Sequence, residues 1–278
     1  MSVLKQMHKK YDITAGEGTV NRLREAMQEV TLAGLYRGGF FDRAAFYGGT
    51  CLRIFYGLPR FSEGLNFSLL APDGAFSLKP YITTVVDEFS ALGLDVEISS
   101  KKKTVQTGIA STFLKNNTLF FDLSVHGERT LKIVIEIDTL PPSGFSTEEK
   151  HLLEPFPFSV RCFGLQDLFV GKMHALLFGN RKIRVKGRDW FDFEWYVRKE
   201  IPLDLAHFIN RAFQSGHLKE AHLSELNFRQ LLNNRIELFD VASARKDVSV
   251  FMKDAEVLKI WSRDYFRHLA EQMTVNCG

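Results

Sequence analysis

Gly48-Gly49-Thr50, Gly64-Leu65-Asn66, Glu136-Ile137-Asp138, Lys172 and Asp189 are the places where residue type and spacing could do chemistry. Paired glycines ahead of a helix let a backbone approach a ligand closely, and the free N–H groups of the helix start suit phosphate. The Thr50 hydroxyl adds a hydrogen bond or a helix cap. Two carboxylates two apart on a strand share a face, and with a third on a neighbouring strand they can cage two Mg2+ ions. Here one pair is Gly64 and Asn66, which leaves at most Glu136 and Asp138 as acids. Taken alone, Gly-Gly-Thr reads as a plain turn, and Glu136 with Asp138 as an exposed strand face beside a loop.

Lys172 interrupts the otherwise apolar stripe of Leu165, Phe169 and Leu176. Its ammonium either snorkels to solvent or faces a phosphate in a cleft. His174 lies off that stripe and reads as packed or solvated. The run RKIRVKGRDWFD, residues 181–192, could line a polyphosphate or RNA groove, with Trp190 and Phe191 for packing or stacking, or could be a solvated basic loop. Asp189 reads equally as a helix N-cap and as an acid poised for proton or metal work, with Asp192 favourable in the first helical turn.

These residues need elements to hold them. Apolar spacing predicts helices over Val20–Leu35, Cys51–Tyr56, Tyr81–Leu92, Leu165–Phe178 and Trp190–Arg198, with further helices through Leu269. Alternation predicts strands over Leu65–Leu70, Asp95–Ser99, Gln106–Leu114, Thr118–Val125 and Leu131–Asp138. In Leu65–Leu70, Leu65, Phe67 and Leu69 take one face and Asn66 the other, shared with Gly64. Pro155 to Gly164 reads as a connecting stretch. The organisation expected is an α/β front half, residues 1–160, and a helical back half, residues 161–278.

Composition excludes little. Hydrophobic residues are 45% of the 278 and charged ones 25%, ordinary for a globular protein, and 25 phenylalanines point to an aromatic core. A formal charge of +3 is too mild to indicate a nucleic-acid binder by itself. Cationic residues gather instead at Lys101–Lys103 and between Arg181 and Arg188. The three cysteines have no metal-binding spacing, which suits reduced thiols and a cytoplasmic protein. No apolar stretch is long enough to span a membrane, and the first residues lack the apolar run of a signal peptide.

Together the fragments resemble one family. FYGGTCLRIFYGLPRFSEGLNFSLL (Phe46–Leu70), GKMHALL (Gly171–Leu177) and RVKGRDWFDF (Arg184–Phe193), with IEIDTLPP and PFSV, are similar in content and order to the signatures of the AbiEii/AbiGii toxins. The resemblance covers nearly the whole chain. It implies an α+β fold: a DNA-polymerase-β-like nucleotidyltransferase core with a mixed β-sheet, followed by a helical domain, with an NTP between them. It implies the toxin of a two-gene toxin–antitoxin pair acting in phage defence, partnered by an antitoxin encoded nearby. It is also similar to toxins that transfer nucleotides to the acceptor end of tRNA. By position, Gly48, Gly49, Thr50, Arg60 and Ser62 belong to the nucleotide, Lys172 to its phosphates, and Arg184 and Arg188 to the pocket wall. Asp189 is the acid of the last motif. Glu136 or Asp138 stands for the third carboxylate.

The chain departs from the family at one place. Where the signature has Asp-Leu-Asp, it has Gly64-Leu65-Asn66. Losing two anions removes most of what would hold Mg2+, so transfer should slow by orders of magnitude. Two explanations stand. Either an active toxin was disarmed by paired substitutions, or the chain is a pseudoenzyme that keeps its NTP pocket for binding.

Overall fold

The computed structural model describes residues 19–101, 118–126, 130–141, 143–179 and 186–277. The expected strand Gln106–Leu114 lies outside them, as do Lys102, Lys103, Arg181, Lys182 and Arg184. The chain divides into two units, each entered more than once. Unit 1 holds Met1–Gly57, Phe61–Pro141 and Thr147–Phe163; unit 2 holds Leu58–Arg60, Pro142–Ser146 and Gly164–Gly278.

Unit 1 runs α1 (Thr19–Arg37), β1 (Ala44–Tyr47), α2 (Gly48–Tyr56), β2 (Gly64–Leu69), α3 (Lys79–Ala91), β3 (Asp95–Lys101), β4 (Thr118–His126), β5 (Leu131–Asp138), β6 (Thr147–Leu152) and β7 (Phe158–Phe163). The seven strands form one mixed sheet in the order β3-β4-β5-β2-β1-β7-β6. β2 runs parallel to β5 and β1 parallel to β7, while the remaining neighbours are antiparallel. Alternation does what it predicts in the centre. Leu65, Phe67 and Leu69 of β2 and Ile133, Ile135 and Ile137 of β5 are all buried. Phe67 meets the rings of Phe40, Phe41 and Phe46, so the abundant phenylalanine does build this core.

One expectation changes. The stretch after Pro157 is a strand, β7, and not only a connection, because Phe158, Val160 and Cys162 alternate onto the buried face. The prolines precede the paired residues, so the ladder keeps its donors.

Unit 2 is helical: α4 (Leu165–Phe178), α5 (Gly187–Arg198), α6 (Leu205–Gln214), α7 (Glu225–Glu237), α8 (Val241–Ser249) and α9 (Arg263–Gln272), with short strands β8 (Leu203–Asp204) and β9 (Val275–Asn276) pairing in parallel. Asp204, Ser224, Asp240 and Ser262 cap the last four helices, each accepting a backbone N–H three residues on. Trp190 stacks on Phe239 at 4.0 Å and meets Phe266 edge-on. It is fully buried, so of the two readings for its ring, packing is the one realised and base stacking is not. Among the described residues no helix is long and apolar enough to cross a membrane.

Candidate active site

In unit 1 Gly48, Thr50, Gly64, Asn66 and Glu136 gather where β1 ends and β2 begins, while Asp138 lies further along, level with Ser68 and Ala45. β1 stops at Tyr47, whose extended backbone turns directly into α2 at Gly48. Gly48 adopts φ +87°, open to glycine at little cost, and a β-carbon there would crowd Cβ of Asn66 at 3.3 Å. The helix therefore begins earlier than the predicted Cys51, with both glycines inside it. The Thr50 hydroxyl donates to the carbonyl oxygen of Gly64, and Thr50 is buried. Its proton fastens the start of α2 to the start of β2. Phosphate would therefore meet the backbone N–H groups of the helix start.

The parallel pairing of β2 and β5 sets Asn66 beside Glu136, Ser68 beside Asp138, and Gly64 beside Val134. Register partners share a sheet face, so Gly64, Asn66, Glu136 and Asp138 all lie on one side, and both acids face the same way. Asp138 accepts the N–H of Leu140 at 3.0 Å, closing its own turn at the strand end. Asp122 on β4, which sequence reasoning did not single out, joins the same face through its pairing with Val134. Only the register of a third strand reveals it.

Tested against Mg2+, these donors do not fit. Gly64 brings no side chain and Asn66 only a neutral amide oxygen. Among the described residues no group of three His, Cys, Asp or Glu side chains is gathered to hold a metal ion. Ser62 sits in the loop before β2, where its carbonyl accepts Gln28 Nε2 at 3.1 Å. A separate open cavity of about 620 Å3, bounded among others by Tyr36, Arg37, Asp42, Glu149 and Arg161, involves none of these residues.

In unit 2 the centre is a carboxylate that sequence reasoning left as a helix-turn charge. Asp192 on α5 is fully buried and meets two cations. Arg60 holds it through Nε to Oδ1 at 2.7 Å and its NH2 nitrogen to Oδ2 at 2.6 Å, and Lys172 Nζ reaches Oδ2 at 2.7 Å. Burial alone would raise its pKa, but the Arg60 and Lys172 charges outweigh it and hold the carboxyl below its ordinary value. Lys172 therefore neither snorkels freely nor stands unpaired. Arg60 is itself buried, so its guanidinium organises this trio. The signal for Asp192 was present in its spacing, one helical turn beyond Asp189.

Asp189 does not cap α5. The N-cap position is Lys186, and Asp189 lies in the first turn, buried, with Oδ2 lacking a hydrogen-bond partner. Arg188 lies 4.0 Å from Asp247 and sits over the Phe251 ring at 4.4 Å. Arg184 is outside the described residues. His174 is packed: Nε2 contacts Ser215 Oγ at 2.8 Å, and burial, aided by Arg211 and His217, lowers its pKa to about 3.

A mixed sheet whose central parallel pair carries its polar residues beneath the start of a glycine-led helix, in a chain that ends in helices, defines a nucleotidyltransferase-fold protein of the DNA-polymerase-β-like kind. The chain belongs to the AbiEii family, matching the model of the nucleotidyl transferase AbiEii toxin of type IV toxin–antitoxin systems over residues 30–275. Two solved structures share the fold. MenT4, a nucleotidyltransferase toxin from Mycobacterium tuberculosis H37Rv, is 13% identical over 98% of this chain and 89% of its own, with a TM-score of 0.56. JHP933 from Helicobacter pylori is 17% identical over 92% of each chain, with a TM-score of 0.54. Comparison with curated proteins gave no significant match.

Proposed function

We propose that the protein is a toxin-type nucleotidyltransferase that binds an NTP, directs its nucleotidyl group towards tRNA, and is crippled in that transfer by Gly64 and Asn66. Unit 1 is its nucleotidyltransferase core and unit 2 its helical part. The α2 start, through Gly48, Gly49 and Thr50, receives the triphosphate, and Arg60 through Asp192 fixes Lys172 as a phosphate-directed cation. Asp189 is the remaining acid of the last motif, and the family resemblance assigns Arg184, Arg188 and Ser62 to nucleotide binding. Mg2+ would supply charge stabilisation in the family's reaction, and the weak donor set on β2 is the reason transfer suffers. The reading places the protein in the cytoplasm beside a cognate antitoxin, in phage defence.

The observation that carries this reading is the register of Asn66 beside Glu136, under a helix start built on Gly48. A second reading, a nucleotide-binding pseudoenzyme, is favoured by the tight backbone around Gly64. The test is a labelling assay with each labelled NTP, Mg2+ and total tRNA. It uses the unaltered protein and a variant carrying Gly64→Asp with Asn66→Asp, its fold checked by circular dichroism. Labelled tRNA from the folded variant alone identifies a disarmed transferase. Nucleotide binding with no transfer by either form selects the pseudoenzyme.

A further inference from the structure

We infer that position 64 is built for glycine and that the site at the start of α2 holds a nucleoside triphosphate without a divalent metal ion. The inference rests on the reading that this site takes a nucleotide, and goes beyond it in saying what the nucleotide does not need.

The first support is steric. A β-carbon at Gly64 would stand 2.9 Å from the carbonyl oxygen of Val134, closer than carbon and oxygen rest without displacement. The obstacle is backbone, not a side chain that can swing away. Val134 is held on its far side by pairing with Asp122 on β4, so β5 is fixed from both edges. Gly64 is fixed too, because its carbonyl receives the Thr50 hydroxyl. Any side chain at 64 requires β2 and β5 to part at the point where the α2 start is fastened. With glycine at 64 the two strands sit closer than a β-carbon would allow.

The second support is electrostatic. Carboxylates beside a triphosphate repel it, and a divalent cation offsets that repulsion. Position 64 is uncharged and position 66 an amide, and Asp138 directs one oxygen to the Leu140 N–H. The α2 start still offers its N–H groups and the positive end of its dipole. Glu136, Asp138 and Asp122 remain on this face, but among the described residues no three such side chains gather to hold a metal. With positions 64 and 66 uncharged, a polyanion meets less repulsion than the family's acid pair would impose.

The measurement is calorimetric titration of the unaltered protein with ATP and with GTP, in EDTA and in Mg2+. At least one nucleotide should bind in EDTA within about threefold of its Mg2+ affinity. Asn66→Asp, which has no backbone obstacle, should weaken binding in EDTA by about tenfold and make it respond to Mg2+. Gly64→Ala should lower the thermal midpoint by about 4 °C or more with no change of charge. Binding that demands Mg2+, or a Gly64→Ala midpoint equal to that of the unaltered protein, would overturn the inference while leaving the nucleotide reading in place. No binding under either condition removes both.

Discussion

A carboxylate with no access to water persists as an anion only when cations meet it, and Asp192 is met by Arg60 and Lys172 at hydrogen-bonding distance. Asp192→Asn would leave both cations facing a neutral amide, one of them fully buried. The expected loss is about 3–5 kcal/mol in urea unfolding at neutral pH. Because its folded pKa lies below the unfolded one, the native carboxylate stabilises at neutral pH. That contribution starts to fade only once pH falls below about 4, the unfolded value. His174 also costs stability on acidification, but in a window that opens at higher pH. It stays neutral when folded down to about pH 3, against 6.5 for the free side chain. The unfolded chain therefore takes up a proton that the folded chain refuses, and stability falls as pH drops from 6.5 towards 3. His174→Gln should flatten that slope by close to one proton, measured by urea titration across the window. At this scale the sequence showed which residues carry charge but not whom they face. Lys172 and Arg60 were both visible, while their shared partner depends on α4, α5 and the segment before Phe61 meeting in space.

Elements were most legible where one period dominates. Leu131–Asp138 alternates without interruption, and β5 has those bounds. Leu165–Phe178 keeps a helical stripe and α4 has those bounds too. Two of the strands that escaped reading break the pattern for a physical reason. β1 is only Ala44–Tyr47 and runs straight into a helix, and β6, TEEKHL, is an edge strand with little apolar content. The start of α5 hides a different constraint. A β-carbon on Gly187 would fall inside the carbonyl oxygen of Ala244 on α8, so the two helices cross at a point that only glycine allows. Gly187→Ala should cost about 3 kcal/mol, at the upper end of overpacking penalties, because backbone and not side chain must move. Urea unfolding of that variant, with Gly171→Ala as an uncrowded control on α4, checks it.

At the scale of the whole molecule, the chain does not divide at a single point. Leu58–Arg60 and Pro142–Ser146 belong with the helical unit. Ser146 gives its N–H and hydroxyl to Asp167 at 2.9 and 2.6 Å, and His207 Nδ1 meets the other oxygen of that carboxylate at 2.6 Å. A fragment of residues 164–278 would lack both Arg60 and Ser146. It should show a broad, weak urea transition by circular dichroism where the intact chain unfolds sharply. The three tryptophans, Trp190, Trp195 and Trp261, are all buried and all in unit 2. Intrinsic emission excited at the red edge of the ultraviolet band therefore comes from one unit alone, blue-shifted while its core is dry. Unit 1 contributes most of the sheet signal in circular dichroism but no indole light. Followed side by side during unfolding, the two spectroscopies become separate clocks, and any lag between them times one half of the chain against the other.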